Sequence, residues 1–176
     1  VFPNNEKGDS ETVSSVYEAL QWVARNADKY NIVAVNMSLG GGNYQIAEND
    51  SALVAVKNAG VAIIASSGNN FTYKAEKNPI TGQNELVATK SVPGIAFPAV
   101  DINVFSVGAI YDRDYNFNRV EGIFNFWEFN AMGDKVITSF SQRHPTLLDI
   151  FAPGASIAAA KSKSSGAVEY KGTSMA

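Results

Sequence analysis

Three short segments carry side chains and bare backbone suited to chemistry. They are Val35-Asn36-Met37-Ser38-Leu39-Gly40-Gly41, Ile64-Ala65-Ser66-Ser67-Gly68-Asn69 and Gly172-Thr173-Ser174-Met175-Ala176. All sit where strands end, and in an open parallel sheet sites form at the C-terminal ends of the strands. Ser174 follows a Gly-Thr pair at a point where a helix would begin. A helix start offers free backbone N–H groups and a partial positive charge, which would help hold negative charge developing on an attacked carbonyl. Gly172 lets the backbone turn tightly with no side chain crowding a substrate. Taken alone, though, Ser174 reads better as a helix N-cap. Likewise Gly68-Asn69-Asn70 and Gly40-Gly41-Gly42 alone are ordinary turn chemistry.

The elements that must hold these segments follow from hydrophobic spacing. Val13, Val16, Tyr17, Leu20 and Val23 recur every three or four residues and predict a helix over Thr12–Tyr30, with Ser10 and Thr12 as N-cap candidates. Ile32–Met37 is a short apolar run that fits a strand buried on both faces, followed by the Gly40-Gly41-Gly42 turn. A second helix is expected from about Asp50 to Asn58, stopped by Gly60, and Val61–Ala65 is another buried strand. Strand, helix, strand in this order implies a parallel sheet with right-handed crossovers and helices on its faces. Further strands are expected at Asn103–Ile110, Val136–Phe140, Leu147–Phe151 and Ser156–Ala160. Residues 71–93, polar and broken by Pro79, Gly82 and Pro93, and residues 115–135, rich in aromatics, read as insertions into one domain.

Composition narrows the function classes. At 176 residues, 45% hydrophobic and 18% charged, the chain suits one globular domain with a sizeable core. A net charge of −3 gives no electrostatic case for nucleic acid or an anionic membrane. The absence of cysteine excludes disulfides, thiolate metal sites and a cysteine nucleophile. No apolar run is long enough to span a bilayer, and no signal peptide opens the chain. The sequence begins at Val1 and stops at Ala176 inside a motif, so it reads as a piece of a longer domain.

In their order, the strings "NMSLGG", "SSGN", "LDIFAPG" and "YKGTSMA" resemble the subtilisin-like serine proteases, the subtilase family, over nearly the whole chain apart from the two insertions. The resemblance implies a three-layer, doubly wound, mainly parallel α/β sheet with helices on both faces, here incomplete. It implies Ser174 as nucleophile and Asn69 as an oxyanion-hole donor beside the Ser174 backbone N–H. Thr173, within the motif, joins the substrate-binding set. Ser38-Leu39-Gly40 resembles the segment that pairs with an extended substrate as an added strand. With Ala65-Ser66-Ser67-Gly68 it would form two walls of the pocket for the residue before the scissile bond. Those walls are small and uncharged, so a sizeable uncharged side chain is expected there.

The activating groups are missing. A nucleophilic serine needs a base, and the base an orienting acid. The sole histidine, His144, lies in Ser141-Gln142-Arg143-His144-Pro145, unlike the family's catalytic histidine string, and Asp9, Asp101 and Asp112 lack the catalytic-aspartate context. In subtilisin, loss of the histidine costs about 10⁶ in kcat, so this chain by itself is expected to be inactive. The rival reading is a catalytically dead subtilase-like module that binds peptides or proteins, separable by acid and base motifs upstream of this chain. Intact Asn69 and Ser174 favour catalysis, since a pure binder needs neither. A generic doubly wound ligand-binding domain is disfavoured, because no Gly-x-Gly-x-x-Gly or phosphate loop occurs. Ile123–Phe129 reads as a cluster packing an insertion onto the surface, with a partner or substrate-rim surface as the alternative.

No cofactor is required for the chemistry. Structural calcium is common in the family, but Asp112-Arg113-Asp114 is too short and contains a cation, so nothing here indicates a metal site. The expected partners are a peptide or protein substrate, and a propeptide or the remainder of its own domain. The resemblance also implies action outside the cytoplasm.

Overall fold

The computed structural model describes residues 10–71, 73–77, 79–80, 84–88, 90–112, 136–162 and 165–176, without the side chains of 10–14, 73–77 and 84–88. Residues 115–135, expected as an aromatic insertion and including Ile123–Phe129, lie outside these residues, as do Asp9, Arg113 and Asp114.

Helix α1 (Ser10–Tyr30) is the expected amphipathic element, beginning at Ser10. The side chains of Ser10 and Thr12, the N-cap candidates, lie outside the described set. At its C-terminus, Asn31 takes a positive φ of 53° while the Asn31 and Ile32 N–H groups donate to the Asp28 and Ala27 carbonyls. Helix α2 (Ser51–Asn58) is capped by Asp50, whose carboxylate accepts from the Ala52 N–H at 2.8 Å. It ends as its glycine predicts: Gly60 has φ 78°, Gly60 N–H donates to Lys57 O, and Val61 N–H donates to Val56 O.

Four strands form a parallel sheet in the order β1 (Ala34–Met37), β3 (Ala62–Ser66), β7 (Phe105–Ile110) and β8 (Ile150–Pro153). The two helices pack on each other, and their Leu20, Ala27, Leu53 and Val56 join Met37, Ile63 and Ala65 in one buried cluster. The strands are not buried on both faces as their apolar runs suggest. Ala34 and Ala62 are exposed and Ile64 half-buried, because successive side chains point to opposite faces and the cluster covers only one.

Among the described residues, three antiparallel pairs stand apart from this sheet. Gly41 and Gly42, expected within a Gly40-Gly41-Gly42 turn, instead open β2 (Gly41–Tyr44), paired with β6 (Ile95–Phe97). Residues 71–93, expected as an insertion, hold a hairpin, β4 (Tyr73–Lys77) with β5 (Asn84–Ala88). The expected strand at Ser156–Ala160 is β9 (Ile157–Ala160), paired with an unforeseen β10 (Ala167–Tyr170). Val136–Phe140 is not a strand. One isolated bridge ties Ile137 to Ile110, and the chain then turns, with Thr138 N–H and Oγ1 both donating to Ala109 O.

Candidate functional site

The C-terminal ends of β1 and β3 bring the first two segments together with residues 172–176. Ser174 lies in a turn closed by a 3.0 Å bond from Met175 N–H to Gly172 O, rather than at the start of a described helix. The turn is anchored from the β8 side, where Gly172 N–H donates to Gly154 O at 2.8 Å. A Cβ on Gly154 would come within 2.6 Å of Ala109 Cβ and 2.8 Å of Gly172 O, so only glycine allows this approach. Gly172 itself has φ 148°, a conformation side chains resist, and a Cβ there would lie 3.4 Å from Asn69 Nδ2.

Half-buried Ser174 donates its hydroxyl proton to the Ser38 carbonyl at 3.1 Å, and Ser38 Oγ donates back to the Ser174 carbonyl at 3.0 Å. Asn36 Nδ2 in turn donates to Ser38 Oγ at 3.1 Å. The end of β1 and the Ser174 turn are thus joined by two reciprocal bonds. The Ser38 carbonyl, in the segment expected to pair with an extended substrate, thus holds the Ser174 hydroxyl.

Asn69 is fixed from the same turn. Its Oδ1 accepts from Thr173 N–H at 2.9 Å and from Thr173 Oγ1 at 3.0 Å. A backbone N–H can only donate, so it determines which amide atom is oxygen. Nδ2 is left as a donor, and neither it nor the Ser174 N–H makes a hydrogen bond among the described residues. Thr173, 2% exposed, also accepts from Gly68 N–H at 3.2 Å, so its hydroxyl joins the Asn69 loop to the serine turn.

The proposed pocket walls are unequal in exposure. Ser38 and Gly40 are exposed, Leu39 and Gly68 half-buried, while Ala65, Ser66 and Ser67 are buried. Ala65 belongs to the hydrophobic cluster and Ser67 Oγ donates to Gln142 O, so these two side chains are turned into the fold. Ala96 had no sequence signal, yet it lies between the segments. Its methyl would be 3.4 Å from a Cβ on Gly40 and 2.9 Å from one on Gly68. Gln142 was equally unforeseen and touches both the Gly68 loop and β2.

His144 is occupied elsewhere: its Nδ1 faces Thr146 N–H at 3.3 Å and Thr146 Oγ1 at 3.2 Å. Asp101, 2% exposed, serves the fold by accepting from Asn103 and from the Asp50 N–H. Arg143 donates to the Thr138 and Ser141 carbonyls and lies 4.0 Å over the Phe71 ring, and its burial lowers its pKa. Among the described residues no three His, Asp or Glu side chains converge as a metal site would need, and no described helix is long and apolar enough to cross a membrane.

Comparison with known proteins agrees with this architecture. The sequence model of the Subtilase family, peptidase S8, matches residues 1–176. Among solved structures, the prenylagaramide maturation protease PagA is 22% identical with a TM-score of 0.59, over 99% of this chain and 48% of that one. An S41 psychrophilic protease is 23% identical with a TM-score of 0.60, over 100% and 48%. The PatG macrocyclase in complex with peptide is 18% identical with a TM-score of 0.55, over 92% and 37%. Likenesses of this size carry the fold, and the chain spans less than half the length of these proteins.

Proposed function

The chain belongs to the subtilase family, and on that premise we propose that it is the nucleophile-bearing part of a serine endopeptidase, with the acid and base supplied from outside these 176 residues. The observation that carries this reading is the pair of hydrogen bonds from Thr173 to Asn69 Oδ1, which leaves Nδ2 as a donor beside the residue that precedes Ser174. Ser174 Oγ attacks the scissile carbonyl as its proton passes to the base. The resulting oxyanion accepts hydrogen bonds from Asn69 Nδ2 and the Ser174 N–H, donors held in place before charge develops. Collapse expels the amine, which takes the proton from the base, and water then hydrolyses the acyl-enzyme by the reverse path. His144 is not taken as that base: its hydrogen bonds among the described residues are to Thr146, and the Ser174 hydroxyl bonds the Ser38 carbonyl instead. The 176-residue chain by itself is therefore inactive.

The substrate is an extended peptide lying along Ser38-Leu39-Gly40, whose first N–H displaces the Ser174 hydroxyl from the Ser38 carbonyl. That the PatG neighbour was solved with a peptide supports this substrate class. No charged side chain occurs in residues 38–40 or 65–68, so a large uncharged residue before the scissile bond is preferred. Family membership also supports action outside the cytoplasm. Paired peptides with Phe, Lys or Glu at that position test the reading in the longer protein. The expected order is Phe well ahead of both charged residues, with no cleavage by Ser174→Ala. A preference for Lys or Glu contradicts the proposed pocket, and undiminished cleavage by Ser174→Ala contradicts the nucleophile.

A further inference from the structure

Gln142 is 1% exposed, an uncommon place for a long polar side chain. Its backbone braces one side of the loop that carries Asn69: Gln142 N–H donates to Gly68 O at 2.8 Å, and Gln142 O accepts from Ser67 Oγ at 2.8 Å. Its amide reaches the other side, where Oε1 accepts from Asn70 N–H at 3.4 Å. The same amide then leaves the loop. Nε2 donates to Gly42 O at 3.0 Å and to Asn43 Oδ1 at 2.9 Å, both in β2. The contact with Gly68 is close enough that a Cβ there would lie 2.0 Å from Oε1 and 2.7 Å from the amide carbon.

We propose that Gln142 is a positioning residue that fixes the Asn69 loop against β2, acting on transition-state stabilisation through Asn69 and on peptide docking through Gly42 and Asn43. The inference rests on the peptidase reading above. Asn69 has Gly68 and Asn70 as its chain neighbours, and Gln142 holds a backbone atom of each, so the direction of the Asn69 side chain is set from both flanks as well as by Thr173. The donor half of the amide faces β2, the strand that continues Ser38-Leu39-Gly40, and the acceptor half faces the loop. A buried amide with both halves satisfied is geometrically demanding, and replacing it exposes each connection separately.

Gln142→Glu keeps the acceptor for Asn70 N–H but sets an acceptor against Gly42 O and Asn43 Oδ1. In the longer protein, KM is expected to rise at least about tenfold with kcat per active serine within about threefold of wild type, since an unpaired buried carboxylate costs more than a lost neutral hydrogen bond. Gln142→Met keeps the volume and removes both halves, so KM rises and kcat per active serine falls, each about tenfold. Because the kcat effect runs through Asn69, it should nearly vanish in an Asn69→Ala background, which a merely structural role would not produce. Asn43→Ala removes one partner from the exposed strand without disturbing the buried amide. It should raise KM about threefold with kcat unchanged, and it keeps the test open if a Gln142 variant fails to fold. Unchanged KM in Asn43→Ala and Gln142→Glu, or kcat losses that simply add to that of Asn69→Ala, overturn the proposal while leaving the peptidase reading intact. A wild-type protein that neither cleaves nor binds peptide overturns the peptidase reading and this role with it.

Discussion

An amide side chain is useful to catalysis only if something decides which of its ends faces the reacting atoms, and at Asn69 that decision falls to Thr173. Both Thr173 donors take Oδ1, so Nδ2 is committed as a donor without depending on substrate. Asn69→Ala should therefore lower kcat about 10²–10³-fold with little change in KM, the scale found for one oxyanion-hole donor in subtilisin. Steady-state kinetics of the longer protein with a Phe-containing peptide checks this, and a loss confined to KM would place Asn69 in substrate binding instead. Asn69 and Ser174 stand out as candidates in the sequence because their neighbours form strings that recur in a known order. Gln142 and Ala96 are not, because they matter only through contacts made across the fold. Gln142 meets Gly42 from 100 positions away, and nothing in Ser141-Gln142-Arg143 marks its amide as buried.

Elements whose signals are local follow the sequence closely. Apolar spacing gives both helices, and Gly60 gives the end of α2, since a turn of helix and its stop are decided within a few residues. The strands are less faithful. Val136–Phe140 has a strand's apolar content but ends in a turn held by Thr138, while Gly41–Tyr44 has a turn's composition but pairs with β6. Pairing partners decide these cases, and they lie far away in the chain. One tie between elements is testable by pH. Tyr17 of α1 donates to the α2 cap Asp50 at 2.5 Å, and that hydrogen bond first, then burial, raises its pKa above the ordinary value of 10.0. A group with a raised folded pKa contributes stability that is present below its unfolded value and lost as pH rises through the folded one. The stability gap between wild type and Tyr17→Phe, followed by urea unfolding, should hold constant up to about pH 9 and shrink above pH 10. A gap independent of pH would show that the bond does not bind the two helices in solution.

At the scale of the whole molecule, the parallel sheet is covered by the two helices on one side, while Ala34, Asn36 and Ala62 remain exposed and β1 pairs only with β3 among the described strands. The sheet nonetheless delivers the Ser38 segment and the Asn69 loop to one end, where the turn anchored on Gly154 sets Ser174 between them. That gathering depends on the fold alone. Activation of the serine depends, in this account, on groups that the chain does not carry. Fluorophosphonate labelling of the 176-residue chain beside the longer protein, with the modified residue mapped by mass spectrometry, tests this most directly. The expected result is a label on Ser174 in the longer protein, abolished by Ser174→Ala, and none on the chain alone. A label on the isolated chain would mean that a base lies within these residues, and no label on either would mean that Ser174 is not a nucleophile.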